Sequence, residues 1–312
     1  MKRQVFVTVL CLVFFSVTSF AADMLSLVPY NAALIVNVNL EKISALPGVK
    51  AFMDSALAES NNNKYTKDFE KLGINPYTDV KNIILFMTED EKVAFLAEGT
   101  FDTIVTCETV QNDAELQKVY TYSAIGGLPA LYNESAANST VVFIDQRTLA
   151  FGDTEVLEII GNLFNEKDEA KSIKKNPNFV YMTNRLDLNK QFWGAGFSGS
   201  NIWKSNVKTA PTDLDNVRMA IFDIDYGETD FEFAVSALVA RNNELEALTK
   251  SFNELSNTFK GYVATVPGMT RIFENAKVTN DGSNMATYQI KMPVKDFNEA
   301  LLSASDFVDN NK

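Results

Sequence analysis

Two pairs of alternating apolar runs, almost equally spaced from their neighbours, restrict this chain more than any motif in it. Residues 81–88 and 93–98 form one pair, broken by the acidic turn Glu89-Asp90-Glu91, and residues 217–226 and 230–240 form the other, broken at Gly227. Alternation with a period of two belongs to strands that bury one face, and a short turn between two such runs predicts an antiparallel hairpin. Phe231, Phe233, Val235, Ala237 and Val239 then share a face. The offset from Val93 to Phe231 is 138 positions and from Val156 to Phe297 it is 141. The recurrence predicts an α+β protein of two related units, each a mostly antiparallel sheet with helices packed on one face. Residues 22–165 would be the first unit and 179–312 the second. The polar stretch 166–178, closed by Pro177, reads as the linker.

Each unit is expected to open on a strand. The first is residues 30–40, YNAALIVNVNL, with Leu34, Val36, Val38 and Leu40 facing one way and Asn37 and Asn39 the other; the second is residues 179–188, FVYMTNRLDL. Helices are expected over 47–60, 65–72 and 113–122, the last stopped by Gly126-Gly127. Residues 101–109 would extend the sheet or cover it. A further helix, capped by Asp153 or Thr154, would turn Val156, Leu157, Ile160 and Leu163 inward. Residues 243–262 carry the stripe Leu245, Leu248, Phe252, Leu255 and Phe259. Residues 269–278 and 284–292 read as a hairpin over Asn280-Asp281-Gly282, and a closing helix would bury Val294, Phe297, Ala300, Leu301 and Ala304.

The first 21 residues read as a secretory signal peptide. Lys2 and Arg3 precede an apolar run over residues 5–15, and Ser19 and Ala21 occupy the small-residue positions of a cleavage site. The run is shorter than the roughly 20 residues a membrane span needs, so no integral span is expected after cleavage. Removal of this segment takes Cys11 with it and leaves Cys107 alone. A disulfide-stapled fold is thereby excluded, and the core must supply the stability. Cys107, in an apolar stretch, reads as a small core residue.

Cleavage also leaves 26 basic residues against 40 acidic ones, a net charge of −14. With no basic face to meet phosphates, nucleic-acid binding is excluded. The chain holds no histidine, which removes Ser-His-Asp and Cys-His catalysis and every histidine-ligated zinc or haem site. No residue stands out as catalytic, and no cofactor is implied.

The segment richest in recognition chemistry is 192–203. Phe192, Trp193, Phe197 and Trp203 surround the glycines of Gly194-Ala195-Gly196-Phe197-Ser198-Gly199. That spacing imitates a dinucleotide-binding turn, but a strand before it and a crossover helix after it are needed to aim amides at a pyrophosphate, and Pro211 cuts the segment short. Aromatic rings among glycines on a loop would instead contact a protein, peptide or glycan partner; the alternative is that the indoles plug the gap between the two units. Asp223, Asp225, Glu228 and Asp230 crowd one hairpin end and are weak calcium candidates, lacking the spacing of a calcium-binding loop.

Val28, Pro29 and Ala32 before the first strand, then Gly73, Ile74, Asn75, Pro76, Asp79 and Val80 before the next, give a pattern that resembles a class of exported bacterial proteins of unknown function. The resemblance covers the first hundred residues or so. It implies an exported, repeat-built protein and carries no catalytic residue over. Together these features lead to the expectation of a non-enzymatic binding or structural protein, periplasmic or extracellular, of a Gram-negative bacterium. A histidine-free hydrolase or lyase working through carboxylates is the alternative, and a self-assembling envelope component, hence a homo-oligomer, is a third.

Overall fold

A computed structural model of the chain describes residues 24–44, 73–75, 78–100, 102–132, 140–197, 217–264, 266, 268–282 and 284–310. In chain order, β1 (Ala32–Asn39) runs into the short helix α1 (Leu40–Ser44), and β2 (Val80–Thr88) and β3 (Val93–Gly99) follow as a hairpin. Helix α2 (Thr103–Asn112) precedes β4 (Thr121–Ile125), β5 (Leu128–Tyr132), β6 (Thr140–Phe143), β7 (Thr148–Gly152) and helix α3 (Thr154–Glu166). Next come helix α4 (Pro177–Thr183), β8 (Phe192–Phe197), β9 (Val217–Tyr226), β10 (Asp230–Val239) and the long helix α5 (Asn242–Val263). Helix α6 (Met269–Glu274), β11 (Ala276–Asn280), β12 (Met285–Pro293) and helix α7 (Val294–Asn310) complete an α+β chain in which every strand ladder described is antiparallel.

The chain divides into two compact units, changing from one to the other between Val180 and Tyr181. Two stretches cut across chain order: residues 33–44, which include nearly all of β1, and the turn Glu89–Glu91 belong to the second unit. There β1 pairs with β8, setting Asn37 opposite Trp193. The first unit orders its strands β2-β3-β7-β6-β5-β4 and the second β11-β12-β10-β9-β8-β1. In each, a hairpin is followed by a helix, and the unit's last strand docks on the second strand of that hairpin before a closing helix.

In the first unit Ala97, Leu131, Phe143 and Leu149 pack with Val110 of α2 and with Leu116. Residues of the opposite sheet face, including Ala94, Leu96, Val142 and Ala150, are buried as well. Helix α3 presents Val156, Leu157, Ile160 and Leu163 inward as its periodicity predicts. It approaches the β4–β5 turn so closely that a side-chain carbon on Gly161 would lie 2.7 Å from the Gly126 carbonyl oxygen. Asp153 does not cap this helix with its side chain; its carboxylate accepts the Val93 N–H at 2.7 Å and ties β3 to the helix start.

In the second unit the helices gather on one sheet face. Leu245, Leu248 and Phe252 of α5 pack on Val217, Ala237, Val239 and Ala286. Ile272 of α6 and Ala300 of α7 pack on Phe231, Ile290 and Met292, and the rings of Phe231 and Phe297 stack at 3.7 Å.

Several expectations are corrected. Residues 179–188 are not a strand: Asn176 accepts the Asn178 N–H at 2.9 Å, Pro177 supplies a helical first residue, and α4 begins. β8 is the strand that flanks β1. Residues 101–109 are mostly helix α2, and the helix expected over 113–122 is a 3-10 turn, Leu116–Lys118, followed by β4. The cause is Gly126-Gly127, whose φ of 55° and 76° makes a hairpin turn between β4 and β5 where a helix stop was expected. The hairpin expected from residue 269 begins as α6, because Gly268, at φ 82°, lies against the Ala300 backbone. In β1 the face carrying Ala33, Ile35 and Asn37 is the more deeply buried, with Leu34, Val36 and Val38 half-buried. Leu301 is exposed rather than inward, as is Phe259. Residues 166–178 hold the turns Glu169–Lys171 and Ile173–Lys175; Ile173 is fully buried and its N–H donates to the Val28 carbonyl at 2.8 Å. The helices expected over 47–60 and 65–72 lie outside the described residues.

The Gly126–Gly161 contact sets two effects against each other. Alanine favours a helix over glycine by about 1 kcal/mol, whereas a methyl group forced into close-packed backbone costs about 1–3 kcal/mol. Gly161→Ala is expected to lower stability by a net 1 kcal/mol or so, read as a drop in the urea unfolding midpoint.

Candidate functional site

The aromatic cluster picked out in the sequence is strand core. Phe192, Trp193 and Phe197 all lie in β8, which corrects the expectation of a loop. Trp193 is fully buried and its indole N–H donates to the Leu188 carbonyl at 3.1 Å, within the second unit. Phe197 is buried; Phe192 is half-buried, its ring 5.6 Å from that of Phe222. Gly194 leaves the space that the Phe222 ring fills: a side-chain carbon there would fall 2.1 Å from the ring. Gly194 thus serves aromatic packing across β8 and β9. Trp203 lies outside the described residues.

The acidic hairpin is also put to structural use. Register places Asp223 and Asp225 of β9 on one sheet face with Glu232 of β10, the face away from the apolar residues that α5, α6 and α7 cover. Lys190 enters this face, donating to Asp223 at 2.5 Å and standing 3.8 Å from Glu232. Glu232 also accepts from Gln289 at 2.8 Å. Burial works against the Lys190 charge, but the hydrogen bond and charge of Asp223, aided by Glu232 and Asp225, hold the ammonium above its usual range. Burial pushes the Asp223 carboxyl up, with Lys190 pulling it back. Glu228 stands in the turn, and Asp230, opening β10, accepts the Thr229 hydroxyl at 3.2 Å. Among the described residues no group of three or more His, Cys, Asp or Glu side chains is arranged to hold a metal ion. Cys107 is half-buried against the first unit's core, and burial pushes its thiol up to about 11.

A cavity of about 370 Å³ lies within the first unit. Four pieces of chain build it: the 3-10 turn Leu25–Leu27 with Met24, the end of β3 at Glu98, the β6–β7 turn, and the C-terminal end of α3. Glu98 and Thr148 are a registered cross-strand pair and present both side chains on one face. The turn is set by Ile144, whose N–H donates to Thr148, and by Asp145, which accepts the Arg147 N–H at 2.8 Å. At the helix end Lys167 adopts the left-handed conformation and donates its N–H to Leu163; Asp168 then accepts the Ala170 N–H at 3.1 Å and starts the next 3-10 turn. The N-terminal wall is fixed by Tyr30, whose N–H donates to Lys171, and by Asn176, whose side chain donates to Tyr30.

Met24, Leu27, Ile144 and Leu163 give this cavity a buried apolar floor, extended by Phe164. Its polar lining includes the carboxylates of Glu98, Asp145, Asp168 and Glu169 and the ammonium of Lys167. Asp168 and Glu169 reach outward to Lys171 and Lys175 at 3.6 and 3.8 Å, solvent-exposed pairs of small energetic worth. None of these residues was singled out from the sequence as a site residue, and Leu163 was read only as helix core. The available signals were local, Asp-x-Arg and Asp-x-Ala turn capping, and nothing in either pattern says that the two turns meet.

No family model and no curated protein matches the chain. Among solved structures, crystal forms I, III and IV of TP0453 are similar, aligning over 90% of this chain and 96%, 97% and 96% of theirs. Identities are 8%, 9% and 10%, with TM-scores of 0.46, 0.46 and 0.49. Likeness at this level says nothing of what the chain does. No helix among the described residues is long and apolar enough to cross a membrane.

Removing the Lys190 ammonium leaves Asp223 buried without its nearest cation. Lys190→Met is expected to destabilise the chain by about 3 kcal/mol near neutral pH. A carboxyl raised in the folded state contributes stability that is whole below its unfolded value and fades as pH rises through the folded one. The deficit of the variant therefore shrinks as pH falls toward the ordinary carboxylate range, which urea midpoints measured across pH would show.

Proposed function

We propose that the protein is a non-enzymatic, exported binding protein that holds a small ligand in the cavity of its first unit. The observation that carries this reading is the cavity itself, whose about 370 Å³ falls within the roughly 300–1,000 Å³ of small-molecule sites. Its floor is apolar, and two of its carboxylates, Asp145 and Asp168, are fixed by turn hydrogen bonds. Such an arrangement orients a ligand.

The competing hydrolase reading needs two acids converging in a cleft, one of them held protonated near neutral pH. Burial pushes up the carboxyl of Asp223, in the second unit and bonded to Lys190. The carboxylates of the cavity belong to the first unit, and three of them carry turn bonds or outward ion pairs. Export is supported by Lys2, Arg3, the apolar run and the small residues Ser19 and Ala21. Expressed in a Gram-negative host, the protein is expected outside the cytoplasm with Ala22 as its first residue, as N-terminal sequencing would read.

The binding reading is tested by blocking the cavity wall. Ser26→Trp places an indole in the space, while a ligand present at a hundred times its Kd stabilises the unaltered protein by about 2.7 kcal/mol. A thermal-shift screen of small molecules of either charge is expected to yield compounds that stabilise the parent and leave Ser26→Trp unmoved. A screen without any such compound overturns the reading.

A further inference from the structure

We infer that β4, the edge strand of the first unit, pairs with the same strand of a second copy of this chain, about a twofold axis at Ser123. The inference is independent of the cavity and of any ligand in it. Exposure, backbone direction, charge and side-chain size all lead to it.

β4 stands at the end of the strand order and is laddered to β5 on one side only. Thr121, Tyr122, Ser123 and Ala124 are exposed, and only Ile125 is buried. Tyr122, and Tyr132 on the neighbouring strand, are 47% and 40% exposed. Open edges are ordinarily guarded by a charged side chain, a proline or a bulge. The edge strand of the second unit, β11, has such a guard in exposed Lys277. β4 reads TYSAI and carries neither charge nor proline, and its register with β5 runs without a shift.

The turn tells which backbone groups face outward. Gly126-Gly127 is a two-residue turn with both φ positive, so Ile125 and Leu128 exchange backbone hydrogen bonds. Ser123 and Thr121, at alternate positions, face β5 in the same way. Tyr122 and Ala124 therefore direct their N–H and C=O groups to the open side. Pro129, opposite Ala124, has no N–H to give it, in keeping with that alternation.

Charge and size select the occupant. The chain has a formal net charge of −12, so copies repel over most of their surface. Residues 119–133 hold no charged side chain, and two copies can meet there without opposing like charges. An antiparallel pairing centred on Ser123 sets Tyr122 of each copy against Ala124 of the other, a large side chain beside a small one. It also sets Ser123 against its counterpart, where either hydroxyl can donate. The outward groups of the two strands then exchange about four backbone hydrogen bonds. One patch serves both molecules, as a twofold interface requires. Five residues a side make a small contact, so the pair forms and dissociates with concentration.

Sedimentation equilibrium of the exported protein is expected to show monomer giving way to dimer as concentration rises into the high-micromolar range. Ala124→Pro removes an outward N–H and leaves the ladder to β5 in place; Tyr122→Lys supplies the missing guard. Each is expected to raise the dimer dissociation constant by about tenfold or more. Should Ala124→Pro fail to fold by circular dichroism, Tyr122→Lys decides, since its side chain is exposed.

Oxidation of single added cysteines reads the register. Ser123→Cys places two thiols opposite each other and is expected to give a disulfide-linked dimer. Thr121→Cys sets them about four residues apart along the ribbon and is expected to give none beyond the background that Cys107 sets in the unaltered protein. Cross-linking of Thr121→Cys in place of Ser123→Cys overturns the axis at Ser123. A protein that stays monomeric overturns the inference and leaves the edge to a strand of another protein. A dimer that ignores both substitutions overturns it as well and moves the interface elsewhere.

Discussion

In the first unit, helix α3 and the β4–β5 turn come together through two glycines with no side chain between them. A carbon added at Gly126 would lie 2.8 Å from the Gly161 Cα, and the Asn165 side chain donates to the Gly126 carbonyl at 2.8 Å. That contact settles how deeply the helix seats on its sheet. It lets Val156, Leu157, Ile160 and Leu163 reach the strands, and it fixes where the helix ends. Everything built at that end, the left-handed Lys167 and the capped turn at Asp168, inherits its position from this seating. The cavity is the space left where the seated helix stops short of the β6–β7 turn.

The two units use charge differently. In the second, Lys190 is drawn among Asp223, Glu232 and Asp225 on the sheet face away from the helices, so the acidic hairpin satisfies itself. Loss of either partner would strand a partly buried charge, which is why such groups stabilise only as a set. In the first unit the acids lie around an apolar hollow, with one lysine among them. Similar residue types thus pair across a sheet face in one unit and line a hollow in the other.

Periodicity made the hairpins β2–β3 and β9–β10 legible, along with the inward stripe of α3 and most of that of α5, because each is a local pattern read by one neighbour. The errors cluster where one residue type has two uses. Gly126-Gly127 stops a helix or turns a hairpin with equal ease, and only the strand on its far side decides. Phe192, Trp193 and Phe197 among glycines resemble a recognition loop until Phe222 is seen lying over Gly194. Residues 166–178 are polar enough for a linker, yet Ile173 and its bond to Val28 make them part of the first unit's fold. The candidate cavity was invisible for a related reason: its walls come from residues 24–27, 98, 144–148 and 163–169, and no short window contains more than one of them.

By itself the sequence determined the α+β class, the antiparallel hairpins and the absence of histidine chemistry, since these follow from composition and from nearest-neighbour periodicity. Tertiary structure decided that β1 sits beside β8, that residues 192–197 are strand with Trp193 buried, and that four segments distant in the chain line one hollow. Those outcomes depend on which surfaces meet, and the free energy of meeting is shared between residues far apart in the chain.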